Sequence, residues 1–152
     1  MSVIVDSSVW IDALNPKRET PEKKLLIQMI QNDYPIFLCP VIYQEILQGI
    51  REEKTFAEIK LILQQFRMIN IDIMHVTNYA VDLYRCLRKK GITVRKSVDC
   101  LIASYAIIAD MYLLHNDKDF DQIAGESRLK IYKAKAHRNF PSEDPHRRFP
   151  SS

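Results

Sequence analysis

The chain is predicted to fold as an α/β sandwich around a central, mostly parallel sheet of four to five strands. Short apolar or β-branched runs alternate with longer stretches of helical periodicity, which is the order expected of β-α-β units. The length, 152 residues, suits one compact domain. The composition, 47% hydrophobic and 27% charged, is that of a globular protein and not of a disordered or collagen-like one.

Val3, Ile4 and Val5 form a β-branched run that stops at Asp6 and reads as a buried strand. Ser7 or Ser8 can cap a short helix carrying Trp10, Ile11 and Leu14. Thr20-Pro21-Glu22 has the marks of a helix start: a cap, a proline at the first position and an acid in the first turn. Leu25, Leu26, Met29 and Ile30 then give that helix one apolar face. Residues 36–39 predict a second strand, and Pro40 opens a helix running to Gly49. Residues 53–66 are amphipathic, with Phe56, Ile59, Ile62, Leu63 and Phe66 on one side. Residues 69–73 alternate like a third strand. Residues 76–90 are helical, with Val81, Leu83, Tyr84 and Leu87 apolar. Residues 97–109 predict a helix so apolar after its first turn that it should lie between layers. Residues 111–114 give a fourth strand and 130–132 a fifth. Trp10, Phe56 and Phe66 are expected in the core, and Tyr43 in core or surface packing.

Several function classes are excluded at this stage. No apolar run approaches the roughly 18 residues that span a bilayer. The apolar start is interrupted by Asp6 and follows no basic segment, so a signal peptide is not expected. Cys39, Cys86 and Cys100 form no CxxC pair and no zinc pattern with the four histidines, which points to a reducing, cytoplasmic setting. Three scattered glycines cannot build a phosphate loop or a dinucleotide fingerprint.

The net charge of +3 is concentrated at one end. From residue 133 onward stand Lys133, Lys135, Arg138, Arg147 and Arg148 against Glu143 and Asp144, with three prolines. Residues 1–132 are therefore neutral and read as the folded domain. Residues 133–152 read as a flexible basic tail, native or in part a cloning remnant. The tail histidines His137 and His146 are too far apart in sequence to suggest a metal site.

The informative residues are acids placed at the ends of apolar runs. Asp6 follows the first strand and Asp117 closely follows the fourth, with Asp119 and Asp121 just beyond. In a parallel sheet those strand ends form the ligand-binding crevice. Glu45 and Asp99 lie on helices that can reach the same crevice. Asp6 as a helix cap, Asp99 as a first-turn acid and Asp117, Asp119 and Asp121 as a solvated turn have plain structural readings as well, whereas Glu45 is harder to explain that way. Together, four carboxylates in one crevice need a counter-charge. A hard divalent cation such as Mg²⁺ or Mn²⁺ supplies it, and can activate water against a phosphodiester. Arg85, Arg88 and Lys89 share a helical face by their spacing. With Arg95 and Lys96 they could hold a polyanionic backbone beside the crevice, although a charged run is also what any solvated helix face looks like.

The stretches VIVDSSVWIDAL, PVIYQEILQGI, SVDCLIASYAI and LLHNDKDF, in this order, resemble PIN-domain ribonucleases, and within them the VapC toxins of toxin–antitoxin pairs. The resemblance covers about residues 2–132. It implies an α/β/α sandwich and Mg²⁺- or Mn²⁺-dependent endonucleolytic cleavage of RNA. It implies Asp6, Asp99 and Asp117 as metal ligands, and Glu45 as a further catalytic acid holding metal or positioning water. Ser7 matches the small hydroxyl residue that supports the site, with Asp119 beside it. It further implies a small antitoxin that inhibits the enzyme through its active-site groove, and a homodimer. The chain departs from the family in one place. His115 stands where threonine or serine is usual, which leaves open whether Asp117 or Asp119 lies closer to the metal. Two other readings are a fold kept for binding RNA or protein without cleavage, and an aspartate phosphotransfer domain. The second lacks a convincing partner lysine, since Lys130 is poorly placed.

Overall fold

The computed structural model describes residues 1–133. The tail beyond Lys133, with the expectations attached to it, lies outside the described residues. Five parallel strands carry the fold: β1 (Val3–Val5), β2 (Ile36–Leu38), β3 (Arg67–Met68), β4 (Tyr112–Leu114) and β5 (Lys130–Ile131), in the order β3-β2-β1-β4-β5. Seven helices connect them: α1 (Ser7–Leu14), α2 (Pro21–Gln31), α3 (Pro40–Gln48), α4 (Glu53–Leu63), α5 (Ile73–Lys89), α6 (Ser97–Ile108) and α7 (Lys118–Gly125). The predicted sandwich is the observed one.

The chain leaves β1 toward β2 and β3, then returns across the sheet to β4 and β5. Right-handed crossovers therefore place α1 to α4 on one face and α5 to α7 on the other. The direction reverses between β1 and β4, where the carboxyl ends of the two strands open a crevice. Val3 pairs with Tyr112, Ile4 with Leu113 and Val5 with Leu114, and the Asp6 N–H continues the pairing to the Leu114 carbonyl at 2.9 Å. The residues after β1 and after β4 are thus held side by side.

The local chemistry explains most element ends. Thr20 caps α2 by accepting the Lys23 N–H at 3.1 Å, with Pro21 in the first position. Three helices stop at a left-handed residue: α2 at Asp33 (φ 51°), α5 at Gly91 (φ 79°) and α6 at Asp110 (φ 53°). In each, the next N–H reaches back five residues, as in Ile92 to Leu87 at 3.0 Å. Val3, Ile4, Val5, Leu38, Ile102, Leu113 and Phe120 are fully enclosed between the layers. The apolar helix α6 is buried along most of its length, as its composition predicts.

Several expectations need correction. Residues 69–73 are not a strand. β3 is Arg67–Met68, at the sheet edge, and α5 begins already at Ile73. The side chain of Asp72 accepts the His75 N–H at 2.9 Å, and that cap overrides the alternation of Ile69, Ile71 and Ile73. The buried stripe of α5 is Val76, Ala80, Leu83 and Leu87, while Val81 is exposed. Ile62 is likewise exposed on α4. Trp10 is buried and donates to the Val5 carbonyl at 3.1 Å, with Phe66 edge-on to its ring. Phe56, Phe66 and Tyr43 are half-buried against the core.

Candidate metal centre and active site

Four acids reach the crevice by four routes. Asp6 ends β1 in extended backbone and caps α1. Its Oδ2 accepts the Ser8 N–H at 3.1 Å and the Ser8 hydroxyl at 2.6 Å. Asp117 follows β4 and caps α7, accepting the Asp119 N–H on Oδ1 at 3.0 Å. Asp99 lies in the first turn of α6, and Glu45 in the middle of α3. The two capping roles coexist with a possible ligand role, since each cap uses one oxygen of its carboxylate.

Asp99, Asp117 and Asp119 each offer a ligand atom, and these atoms lie within 4.8 Å of one another. Asp119, assigned a lesser part from sequence, is a full member of this group. Asp6 stands outside it but close enough to act on it by charge. Burial, then Asp117, then Asp6, push the Asp99 carboxyl up to about 7. Burial also raises Asp6, against the Ser8 hydrogen bonds. Burial and Asp6 raise Glu45, against Lys96 and the Ser7 side chain. Oδ2 of Asp99 and Oε1 of Glu45 are enclosed and have no hydrogen-bond partner among the described residues. Buried carboxylate oxygens without partners are costly and rare. The enclosed Asp99 oxygen belongs to the group with Asp117 and Asp119, and that group fits a site for an oxygen-preferring cation.

The predicted basic cluster divides. Lys96 stands with its Nζ 3.7 Å from Asp117 Oδ2, and its charge lowers both Glu45 and Asp99. Arg95 bonds Asp119 through Nε at 3.2 Å and Nη2 at 3.4 Å, and lies 3.9 Å from Asp117. It remains 72% exposed, so its guanidinium also faces solvent at the lip of the crevice. Arg85, Arg88 and Lys89 are exposed on α5, with Arg88 over the Tyr84 ring and Arg85 beside a groove between α5 and α6. They form no ion pair with the acidic group among the described residues.

The sequence reading missed the frame that joins the two halves. The Ser8 hydroxyl donates to Asp6 and accepts the Asn116 N–H at 3.1 Å. The Asn116 side chain donates to buried Asp12 at 2.8 Å, which Arg18 pairs at 3.2 Å. Ser8, and not Ser7, is therefore the hydroxyl that ties the first strand end to the fourth. The signal was present in the Asp-Ser-Ser run, but either serine satisfied it.

A family model described as PIN domain matches residues 3–126. Ribonuclease VapC11 of Mycobacterium tuberculosis is 28% identical over 128 residues, covering 84% of this chain and 96% of that protein. VapC ribonuclease Mb1587 of Mycobacterium bovis gives the same figures. Among solved structures, VapBC2 from Rickettsia felis, bound to a DNA fragment from its promoter, superposes with a TM-score of 0.69 at 18% identity. The match covers 87% of this chain and 98% of that one. DNA-bound VapBC from Salmonella typhimurium also gives 0.69, at 16% identity, over 87% and 97% of the two chains.

Proposed function

Because this chain belongs to the PIN domain family, we propose that it is a divalent-metal-dependent endoribonuclease and the toxin of a toxin–antitoxin pair. The observation that carries the chemistry is the group of three aspartates whose ligand atoms lie within 4.8 Å, one of them held near neutrality with an enclosed, unpartnered oxygen. That arrangement favours a cation over either a proton or a hydrogen bond as the resident partner.

Asp99 and Asp117 would hold Mg²⁺ or Mn²⁺, with Asp6 joining directly or through water. Asp119 stands in the same group, oriented by Arg95. The chemistry such an ion supplies when bound is Lewis acidity, toward water and toward the scissile phosphate. The chain's own residues would do the rest. Glu45, half-buried and raised above an ordinary glutamate, would take the proton of the attacking water. Ser8 fixes the Asp6 carboxylate in one orientation. Lys96 offsets the charge of Glu45, Asp99 and Asp117, and it and Arg95 offer cations to the RNA backbone at the lip. Water adds to phosphorus, one P–O bond of the chain breaks, the departing oxygen takes up a proton as the one removed from water is returned to solvent, and two RNA ends leave, one a phosphate and one a hydroxyl. Arg85, Arg88 and Lys89 extend the basic surface along α5 and are read as outlying RNA contacts.

An antitoxin partner accompanies this reading, supported by the solved VapBC complexes that share the fold, and a homodimer is proposed with it on the family resemblance alone. An RNA substrate sets the site of action in the cytoplasm. No described helix is long and apolar enough to cross a membrane.

The test is cleavage of total RNA by the purified, antitoxin-free protein with Mg²⁺ or Mn²⁺, beside EDTA and Asp99→Asn controls. Metal-dependent cutting that the variant lacks is the expected result. A folded, metal-loaded protein that binds RNA but never cuts it would replace the nuclease with a binding module.

A further inference from the structure

We infer that His115 is a positioning residue for the metal centre, acting through the main chain of Asp117 without touching ion or substrate. The inference rests on the nuclease reading above. His115 follows β4 and turns its ring inward, where it is buried and packs on Phe120 with 5.2 Å between ring centroids. An aliphatic side chain would fill that place without a polar atom to satisfy. What the imidazole adds is one acceptor. Its Nδ1 receives the Asp117 N–H at 3.0 Å. Nδ1 therefore carries no proton and Nε2 does. Nε2 is enclosed, 3.4 Å from Oδ1 of Asp121, and makes no hydrogen bond among the described residues.

The bond to Asp117 is one of a series. The His115 ring accepts the N–H two residues on, and the Asp117 carboxylate accepts the N–H two residues beyond that. Between them, Asn116 is held by Ser8 and Asp12. The N–H groups of Asn116 and Asp117 in the short loop from β4 to α7 are thus each held by a side chain, and Asp117 lies in extended backbone (φ −138°, ψ 124°). In that conformation Asp117 caps α7 with Oδ1 while Oδ2 faces Lys96. Take the Nδ1 acceptor away and the Asp117 N–H has no other partner among the described residues. The loop must then rotate to find water, and the carboxylate moves with it.

The side chains of asparagine and glutamine separate this role from packing. In His115→Asn the amide oxygen falls where Nδ1 stands. In His115→Gln it falls nearer Nε2. His115→Leu keeps bulk and removes both. The full chain is used, and the readouts are Mn²⁺ affinity by calorimetry, kcat and KM on RNA, and imidazole ¹⁵N shifts of the wild type. The expected shifts show Nδ1 as the unprotonated nitrogen. His115→Asn should retain Mn²⁺ affinity close to wild type, while Gln and Leu lose about 10- to 100-fold, the range for residues that orient a ligand. At saturating Mn²⁺ the surviving defect should lie in kcat more than in KM.

Equal Mn²⁺ affinity in the Asn and Gln variants would overturn the inference, as would an unprotonated Nε2 in the wild type. The comparison of Asn with Gln decides even if the Leu variant does not fold. A wild type that binds no Mn²⁺ would instead bring down the nuclease reading on which this one stands.

Discussion

Replacing Asp99 by asparagine should stabilise the metal-free protein while removing its activity. Moving this carboxyl from its ordinary 3.8 to about 7 sets about 4 kcal/mol against the ionised form in the folded state. Side-chain relaxation and water entry reduce that ceiling, and about 2 kcal/mol is the working expectation. The sign follows from proton counts. Below 3.8 the acid is protonated in both states and costs nothing. Between 3.8 and about 7 the folded protein keeps a proton that the unfolded chain has released, so wild-type stability falls as pH rises. Above about 7 the loss is complete. The amide has no such slope. Thermal unfolding in EDTA should therefore give a variant Tm higher by roughly 4 to 8 °C at pH 8, with little difference near pH 4. Mn²⁺ at about a hundred times its Kd adds about 2.7 kcal/mol to the wild type alone and should close the gap. A variant no more stable than wild type at pH 8, or an advantage that ignores pH, would refute the claim that burial, with the neighbouring acids behind it, sets the ionised Asp99 against the fold until a cation binds.

Other outcomes follow from the same geometry. Mn²⁺ binding must displace the Asp99 proton, so affinity should rise about tenfold per pH unit below about 7 and level off above it, as calorimetry across pH would show. Ser8→Ala removes the bond to Asp6 and the acceptor for Asn116, and should cost about 1 to 3 kcal/mol in denaturant unfolding together with most of the cleavage rate. Ser7→Ala, measured beside it, should leave the link between the strand ends intact. Arg95→Ala should leave Tm nearly unchanged, raise KM for RNA and reduce the salt slope of binding by about 0.7, the value for one phosphate contact on a single strand.

What could be read from the sequence, and what could not, divides along range of interaction. Thr20-Pro21 and Pro40 announced helices because capping and proline geometry are local, and both are observed. Asp6, Glu45, Asp99 and Asp117 stood out as a set, in the order of the PIN-domain motifs, since Asp6 and Asp99 taken singly have ordinary structural uses. The third strand failed on a contest between two local signals. Ile69, Ile71 and Ile73 alternate, but Asp72 caps α5 and takes the chain out of the sheet. The face of α5 was misjudged at Val81 because Ala80, small and unremarkable in sequence, carries the burial instead. The frame of Ser8, Asn116 and Asp12 was invisible because its members lie more than a hundred residues apart and meet only when β1 pairs with β4. The pairing of Arg95 with Asp119 has the same origin: it needs α6 and α7 placed side by side.

The central claim is that Asp99 and Asp117 hold a divalent cation, and it is tested most directly by locating that cation. Crystals of the antitoxin-free protein soaked in Mn²⁺, with data collected at the manganese edge, would place the ion by anomalous scattering. The account predicts a peak in contact with carboxylate oxygens of Asp99 and Asp117, absent from crystals of the Asp99→Asn variant. A peak elsewhere on the protein, or none at this cluster under Mn²⁺ concentrations that support RNA cleavage, would contradict it.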